Sequence, residues 1–396
     1  MPTLEKHPEP PTGHSRNAHL PPVPAASLPL FVDARMLFSS GIGRYLREIL
    51  SRWPAGTAAN ETYLCNHDTQ IDWLSVHRPG SKFRRTTAGI YSLKEQTLAA
   101  TLPRRSLFWV PHYNLPWVSR AHLVATVHDA APLVLKEVFH RPLQRIAARF
   151  YFAAARRCAR HIIAVSSFTA RELSSAAGVD PRKIEVVLNG VDSAWFTENL
   201  PRDRLAHRLL FVGNLKPHKN LRRLLLALQA LRDRGNTRLE LDIVGQVGGF
   251  RTELDPLTSS LLADSQWIRV HGAVSDETLR SLYASAGALV FPSLYEGFGL
   301  PMLEAMAAGC PVISSNTASL PEIGGAPQHE GGGVIYFNPD SPETIAAAIN
   351  AFLHLPADRR NAMAVAGHRR AKTFSWAEAA RRTHDILLHQ AATIPV

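Results

Sequence analysis

Two consecutive series of short apolar runs, each alternating with helical patterns and divided by one polar stretch, constrain this chain more than any other feature. In the first series, 30–32, 62–65, 107–110, 123–127, 162–165 and 184–187 read as strands, with helices expected from Ile42, from Ser92, over 142–160 and from Phe168. In the second, 209–212, 239–244, 268–270, 288–291, 312–314 and 334–337 read as strands, with helices from Asn220, Asp276 and Pro301 and a last one over 376–389. Strands this apolar must be covered on both faces, and helices between them do so in a parallel, doubly wound α/β sheet. A chain of 396 residues exceeds what one core supports, and 45% apolar residues furnish two. The expected organisation is a proline-rich, disordered or extended tail over 1–27, a first Rossmann-like domain over 28–190, and a polar linker over 191–207. A second such domain follows over 208–373, and a final helical segment over 374–396.

Composition excludes several classes. No stretch approaches the ~18 apolar residues of a spanning helix, and the N-terminus lacks a signal-peptide apolar core, so a cytoplasmic location is expected. Cys65, Cys158 and Cys310 are far apart, with no C-x-x-C spacing, and the 18 histidines form no metal motif. The formal charge of +11 implies an anionic partner. Arg141, Arg145, Arg149, Arg156 and Arg160 fall on one helical stripe, either a solvated face or a dock for anionic lipid. Nothing resembles a nucleic-acid-binding motif.

The chemistry concentrates after the strand ending at Phe291. Glu296 and Glu304, with seven residues between them, flank Gly297, Phe298 and Gly299. Pro301 suits a first helical position, which places Glu296 in the strand-to-helix loop and Glu304 in the first helical turn. The N–H groups of Phe298, Gly299 and Leu300 are then unpaired donors at a helix start, a site for anions, while two carboxylates can accept bonds from vicinal hydroxyls. A polyhydroxylated, phosphorylated ligand fits this constellation.

The segment resembles the E-x7-E signature of retaining GT-B glycosyltransferases of family 4. Further blocks match in order: Asp33 to Arg35 with Gly41 to Tyr45, Pro111 to Asn114, Thr126 to Asp129, Ala164 to Thr169, Asn189 to Asp192 and Val212 to Asn220. The resemblance implies two Rossmann-like domains facing a cleft, transfer of a sugar from a nucleotide donor, and a last helix packing back toward the N-terminal domain. Its blocks are most similar to bacterial mannosyl- and rhamnosyltransferases of O-antigen or exopolysaccharide synthesis, which implies a GDP-sugar donor and a glycan acceptor, lipid-linked. A UDP-hexose donor on the same scaffold is the alternative within enzymes, and a non-catalytic nucleotide-sugar-binding subunit the alternative outside them.

Carried onto this sequence, the resemblance names Lys219, at a helix start that Asn220 could cap, as the cation for the departing diphosphate. Gly213 and Asn214 precede it. Many relatives have arginine where Asn214 stands, so Lys216 or a residue from elsewhere must complete that charge. His128 borders the donor sugar, Glu296 takes the transferred sugar and Glu304 the ribose. Gly41 and Gly43 face the donor phosphates or form a plain connection. The backbone of the loop from His271 to Val274 reads the base, and Arg44, His112, Tyr113 and Asn114 are candidates for the acceptor. No D-x-D pair stands at a suitable strand end, so a reaction without metal or other cofactor is expected.

Overall fold

The computed structural model describes residues 28–54, 60–135, 142–198, 200, 204–245 and 256–395. The proline-rich tail, part of the linker and Arg141 lie outside these residues. The first domain carries β1 (Leu30–Asp33), α1 (Ser40–Ser51), β2 (Glu61–Cys65), α2 (Asp68–His77), β3 (Lys82–Arg85), α3 (Leu93–Ala100), β4 (Leu107–Val110) and β5 (His122–Val127). It continues with α4 (Ala131–Val134), α5 (Pro142–Cys158), β6 (Ala159–Ala164), α6 (Ser167–Ser175) and β7 (Ile184–Val186). The second carries β8 (Leu205–Val212), α7 (Leu221–Asp233), β9 (Glu240–Val244), α8 (Pro256–Asp264), β10 (Ile268–Gly272), α9 (Asp276–Ser285) and β11 (Ala286–Phe291). Then come α10 (Leu300–Ala307), β12 (Val312–Ser315), α11 (Leu320–Gly324), β13 (Val334–Phe337), α12 (Pro342–His354), α13 (Ala357–Ala371) and α14 (Trp376–Ala392).

Both sheets are parallel, with orders β3-β2-β1-β4-β5-β6-β7 and β10-β9-β8-β11-β12-β13. Every residue of β4 and β11 is buried, as expected where helices cover both faces. Each sheet therefore separates two apolar clusters. Serine side chains stop the chain from fraying where helices begin: Ser166 Oγ accepts the N–H of Thr169, and Ser275 Oγ that of Thr278. Strand order reverses between β1 and β4 in one sheet and between β8 and β11 in the other. Loops leaving adjacent strands diverge at such points and open a crevice, where ligands of open α/β sheets bind.

α14 returns to the first domain. Trp376, Ala380, Ile386 and Leu387 are buried in the same cluster as Leu46, Ile49 and Trp109. Each large apolar side chain so buried contributes about 2 kcal/mol. The chain thus passes between domains twice, and the two passages touch: Val191 N–H donates to the carbonyl of Phe374, and a Cβ at Gly190 would overlap the backbone of Trp376. Close approach of two backbones explains that glycine.

Candidate functional site

The loop leaving β8 makes one 3-10 turn over Pro217–Lys219 before α7. Asn220 sits at the junction with φ +61° and does not cap α7, contrary to expectation. Its Nδ2 instead donates to the carbonyls of Pro292 and Pro339, tying this loop to those following β11 and β13. The tie aims Lys219 at the neighbouring loop, where its Nζ lies 2.6 Å from Glu296 Oε1. Gly213 lies against the Lys219 stem, while Asn214 and Lys216 are exposed beside it. Lys216 and Lys219 both act electrostatically on Asp129, across the cleft, whose carboxyl is raised above its ordinary range chiefly by burial.

The loop leaving β11 is braced from both domains. Ser319 Oγ lies 2.9 Å from the carbonyls of both Glu296 and Phe298, and Ser166 Oγ donates to the Gly297 carbonyl at 2.6 Å. A side chain at Gly297 would overlap the carbonyl of His128, so this glycine serves contact between the domains, whereas it was expected against the donor. Gly299 has φ +103° at the N-terminal cap of α10, a conformation that favours glycine. The N–H groups of Phe298, Gly299 and Leu300 find no acceptor among the described residues.

Glu304 lies one turn into α10 rather than in its first turn, and is 4% exposed. Burial raises its carboxyl to about 7, against the pull of Arg44, whose Nη1 is 2.5 Å from Oε1. Arg44 reaches across from α1 and stacks over Trp195 at 5.1 Å. It was expected on the acceptor side; its guanidinium instead pairs with Glu304, the carboxylate expected to take the ribose. Of the glycines preceding it, Gly43 has no room for a Cβ beside the carbonyls of Met36 and Leu37. At Gly41 a Cβ would meet nothing, so packing does not require that glycine.

Opposite Glu296, His128 follows β5. Its Nε2 lies 3.0 Å from the Pro111 carbonyl, which can only accept, and burial lowers its pKa to about 4. The imidazole is therefore neutral with the proton on Nε2, leaving Nδ1 an acceptor. His112 is buried beside it, its rings 6.5 Å away, and is lowered to about 3 by burial. Tyr113 packs against His112 and Phe152. Asn114 is 1% exposed and donates to Glu95 at 2.6 Å, so it builds the loop and presents no face to an acceptor. In the loop from His271 to Val274, expected to read the base, Val274 is partly buried against the core, and His271 is bonded through its ring to buried Asp242 at 2.7 Å.

Trp195, under the Arg44 guanidinium, and Ser319, which braces the loop after β11, escaped the sequence reading, since neither stands in a motif that it singled out.

Residues 198–370 match the family described as Glycosyl transferases group 1, and 102–195 match Glycosyltransferase Family 4. An O-antigen chain mannosyltransferase B of Escherichia coli is 30% identical over 377 residues, covering 87% of this chain and 94% of that protein. The chain is a family 4, group 1 glycosyltransferase. The glycosyltransferase is also 29% identical to the O-antigen chain mannosyltransferase RfbU of Salmonella typhimurium, over 64% of this chain and 66% of that one. In fold it is similar to Anabaena HepE, solved with UDP and glucose (TM-score 0.70, 16% identity, 91% and 99% of the two chains). WaaG, a glycosyltransferase involved in lipopolysaccharide biosynthesis, superposes with TM-score 0.65 at 16% identity over 90% and 99% of the chains. These neighbours share the GT-B architecture of two parallel-sheet domains.

Proposed function

We propose that the glycosyltransferase moves a mannosyl or rhamnosyl group from a GDP-sugar to a hydroxyl of a lipid-linked glycan in bacterial cell-surface polysaccharide synthesis, with retention of configuration and without a metal ion. The observation that carries this reading is the Lys219–Glu296 pair at one topological switch point, facing neutral His128 at the end of the adjoining domain's β5. The names of the mannosyltransferase relatives support the sugar and the pathway.

On this reading the donor diphosphate takes the ammonium of Lys219, with exposed Lys216 close by in place of the arginine absent at Asn214, and the N–H groups at the start of α10. Glu296, released from Lys219, accepts hydroxyls of the transferred sugar, and Glu304 those of the ribose. The bond from C1 to the phosphate oxygen breaks and one from the acceptor oxygen to C1 forms on the same face. The acceptor's proton passes to the departing phosphate. His128 holds no proton to donate at Nδ1, so it suits a hydroxyl contact rather than acid catalysis. Fixed charges aimed at the leaving group accelerate such a step without reorganisation.

The lipid-linked acceptor is supported by α5. Arg145 and Arg149 share it with Leu143, Ile146 and Phe150, which are 80%, 62% and 45% exposed. Basic and apolar side chains together on one helix suit the surface of an anionic leaflet. Arg160 does not join them: α5 ends at Cys158, and Arg160 bonds Gln390 and Thr393 near the end of α14. Among the described residues no helix is long and apolar enough to cross a membrane.

The test is a donor panel of GDP-mannose, GDP-rhamnose, UDP-glucose and UDP-galactose with mannose-terminated lipid diphosphates, reading nucleotide release and the anomeric configuration of the product. Turnover confined to UDP-sugars, or an inverted product, refutes the reading.

A further inference from the structure

Tyr91, in the loop before α3, has φ +64° and is 46% exposed. Such a backbone is unfavourable for a bulky residue and persists only where the surroundings impose it. Here they do. The N–H of Tyr91 donates to Glu95 Oε2 at 3.0 Å, and Glu95 Oε1 receives Arg35 at 2.5 Å and Asn114 at 2.6 Å. Arg35 also pairs with Asp33 at 2.6 Å, and all four members of the cluster are buried. Burying so many charged groups is costly unless each is bonded, and together they make a rigid base under one exposed aromatic ring.

The ring is held from its other end too. Tyr91 Oη lies 2.6 Å from His112 Nε2, and the ring packs edge-on to Tyr151 at 5.1 Å and tilted to Tyr113 at 6.1 Å. His112 in turn neighbours His128, so a wall of rings runs from the cleft outward to Tyr91. Tyr151 continues it to exposed Phe150 on α5 at 5.6 Å. The Nδ1 atom of His112 is buried with no partner among the described residues. A wall of aromatic faces carrying phenol hydroxyls and a neutral imidazole suits a pyranose, whose C–H face stacks on a ring while its hydroxyls bond to the polar edges.

We propose that Tyr91, backed by Tyr113 and Tyr151, is the platform on which the terminal sugar ring of the acceptor stacks while its hydroxyl is presented toward His128. This rests on the transferase reading above, in which His128 borders the transferred sugar. Asp33, Arg35, Glu95 and Asn114 are then positioning residues that act through the loop.

Tyr91→Gly tests it, because glycine accepts the positive φ while the ring and its hydroxyl are both lost; Tyr91→Phe keeps the ring and loses only the hydroxyl. Saturation-transfer NMR, with GDP or UDP present, would follow methyl α-mannoside, methyl α-rhamnoside, methyl α-galactoside and methyl β-N-acetylglucosaminide. Calorimetry on the same variants would follow the nucleotides. The expected result is that a glycoside bound by the wild type is weakened about tenfold or more in Tyr91→Gly and largely kept in Tyr91→Phe, with nucleotide affinity unchanged. The platform is overturned if none of the glycosides binds the wild type, or if Tyr91→Gly binds as the wild type does. Failure of the wild type to bind either nucleotide would instead count against the transferase reading itself.

Discussion

Glu304 offers a prediction whose size follows from its surroundings. Its carboxyl is raised from 4.5 to about 7, chiefly by burial, while Arg44 pulls the other way. About half the molecules therefore carry a charged Glu304 at neutral pH. If ribose hydroxyls bond to the carboxylate, nucleotide affinity follows its ionised fraction and rises about tenfold between pH 6 and pH 8. Calorimetric titration of GDP and UDP across that range would measure the slope in the wild type and in Glu304→Gln. Ionisation of the nucleotide's own phosphate is common to both and cancels in the comparison. Arg44→Ala removes the group that holds the carboxyl down, so its inflection moves to higher pH. Stability carries the same signature. A carboxyl with a raised folded-state pKa favours folding fully below about 4.5, and that contribution is lost as pH rises through about 7. The difference amounts to about 3 kcal/mol of relative stability, which Glu304→Gln should not lose over the same interval. Equal affinity slopes in wild type and Glu304→Gln would refute the reasoning.

Four further outcomes follow. Lys219→Ala should fold normally and lose about two orders of magnitude in turnover, since its charge contact strengthens as the diphosphate departs; undiminished turnover excludes that role. Transfer should persist in excess EDTA, and activity lost there but restored by magnesium or manganese contradicts the metal-free reading. Arg145→Glu with Arg149→Glu should reduce binding to anionic vesicles and transfer to a lipid-linked acceptor while sparing a short soluble one; equal loss on both acceptors assigns the arginines to the fold. Gly190→Ala forces a methyl group into the backbone of Trp376 and should lower the melting temperature by several degrees, corresponding to about 1–3 kcal/mol; an unchanged melt would show that the two passages between the domains can separate freely.

Much of the architecture was legible because its signals are local. Strands such as β4 and β11 announce themselves as continuous apolar runs, and Pro301 with Gly309 bounds α10. Elements without that signal were missed. β3, reading Lys-Phe-Arg-Arg, is a charged edge strand that needs no apolar run, and α12 and α13 are alanine-rich helices. The Asp33 to Arg35 block and Asn114 were visible as motifs, yet their purpose was not, because their partner Glu95 lies on a different element.

By itself the sequence determined two doubly wound domains, the glycine-rich loops, and the chemical character of the 296–304 segment, since periodicity, turn chemistry and helix ends depend on neighbours a few residues away. Only the tertiary structure decided which groups face one another. Lys219 meets Glu296 across 77 positions because β8 lies beside β11, and Arg44 meets Glu304 across 260 because the two domains close over one cleft. A side chain's partner is set by sheet order and domain contact, which no local pattern encodes. For that reason Arg44, expected at the acceptor, pairs with Glu304, Asn114, also expected there, lies in a buried cluster with Glu95, and Tyr91 came into view.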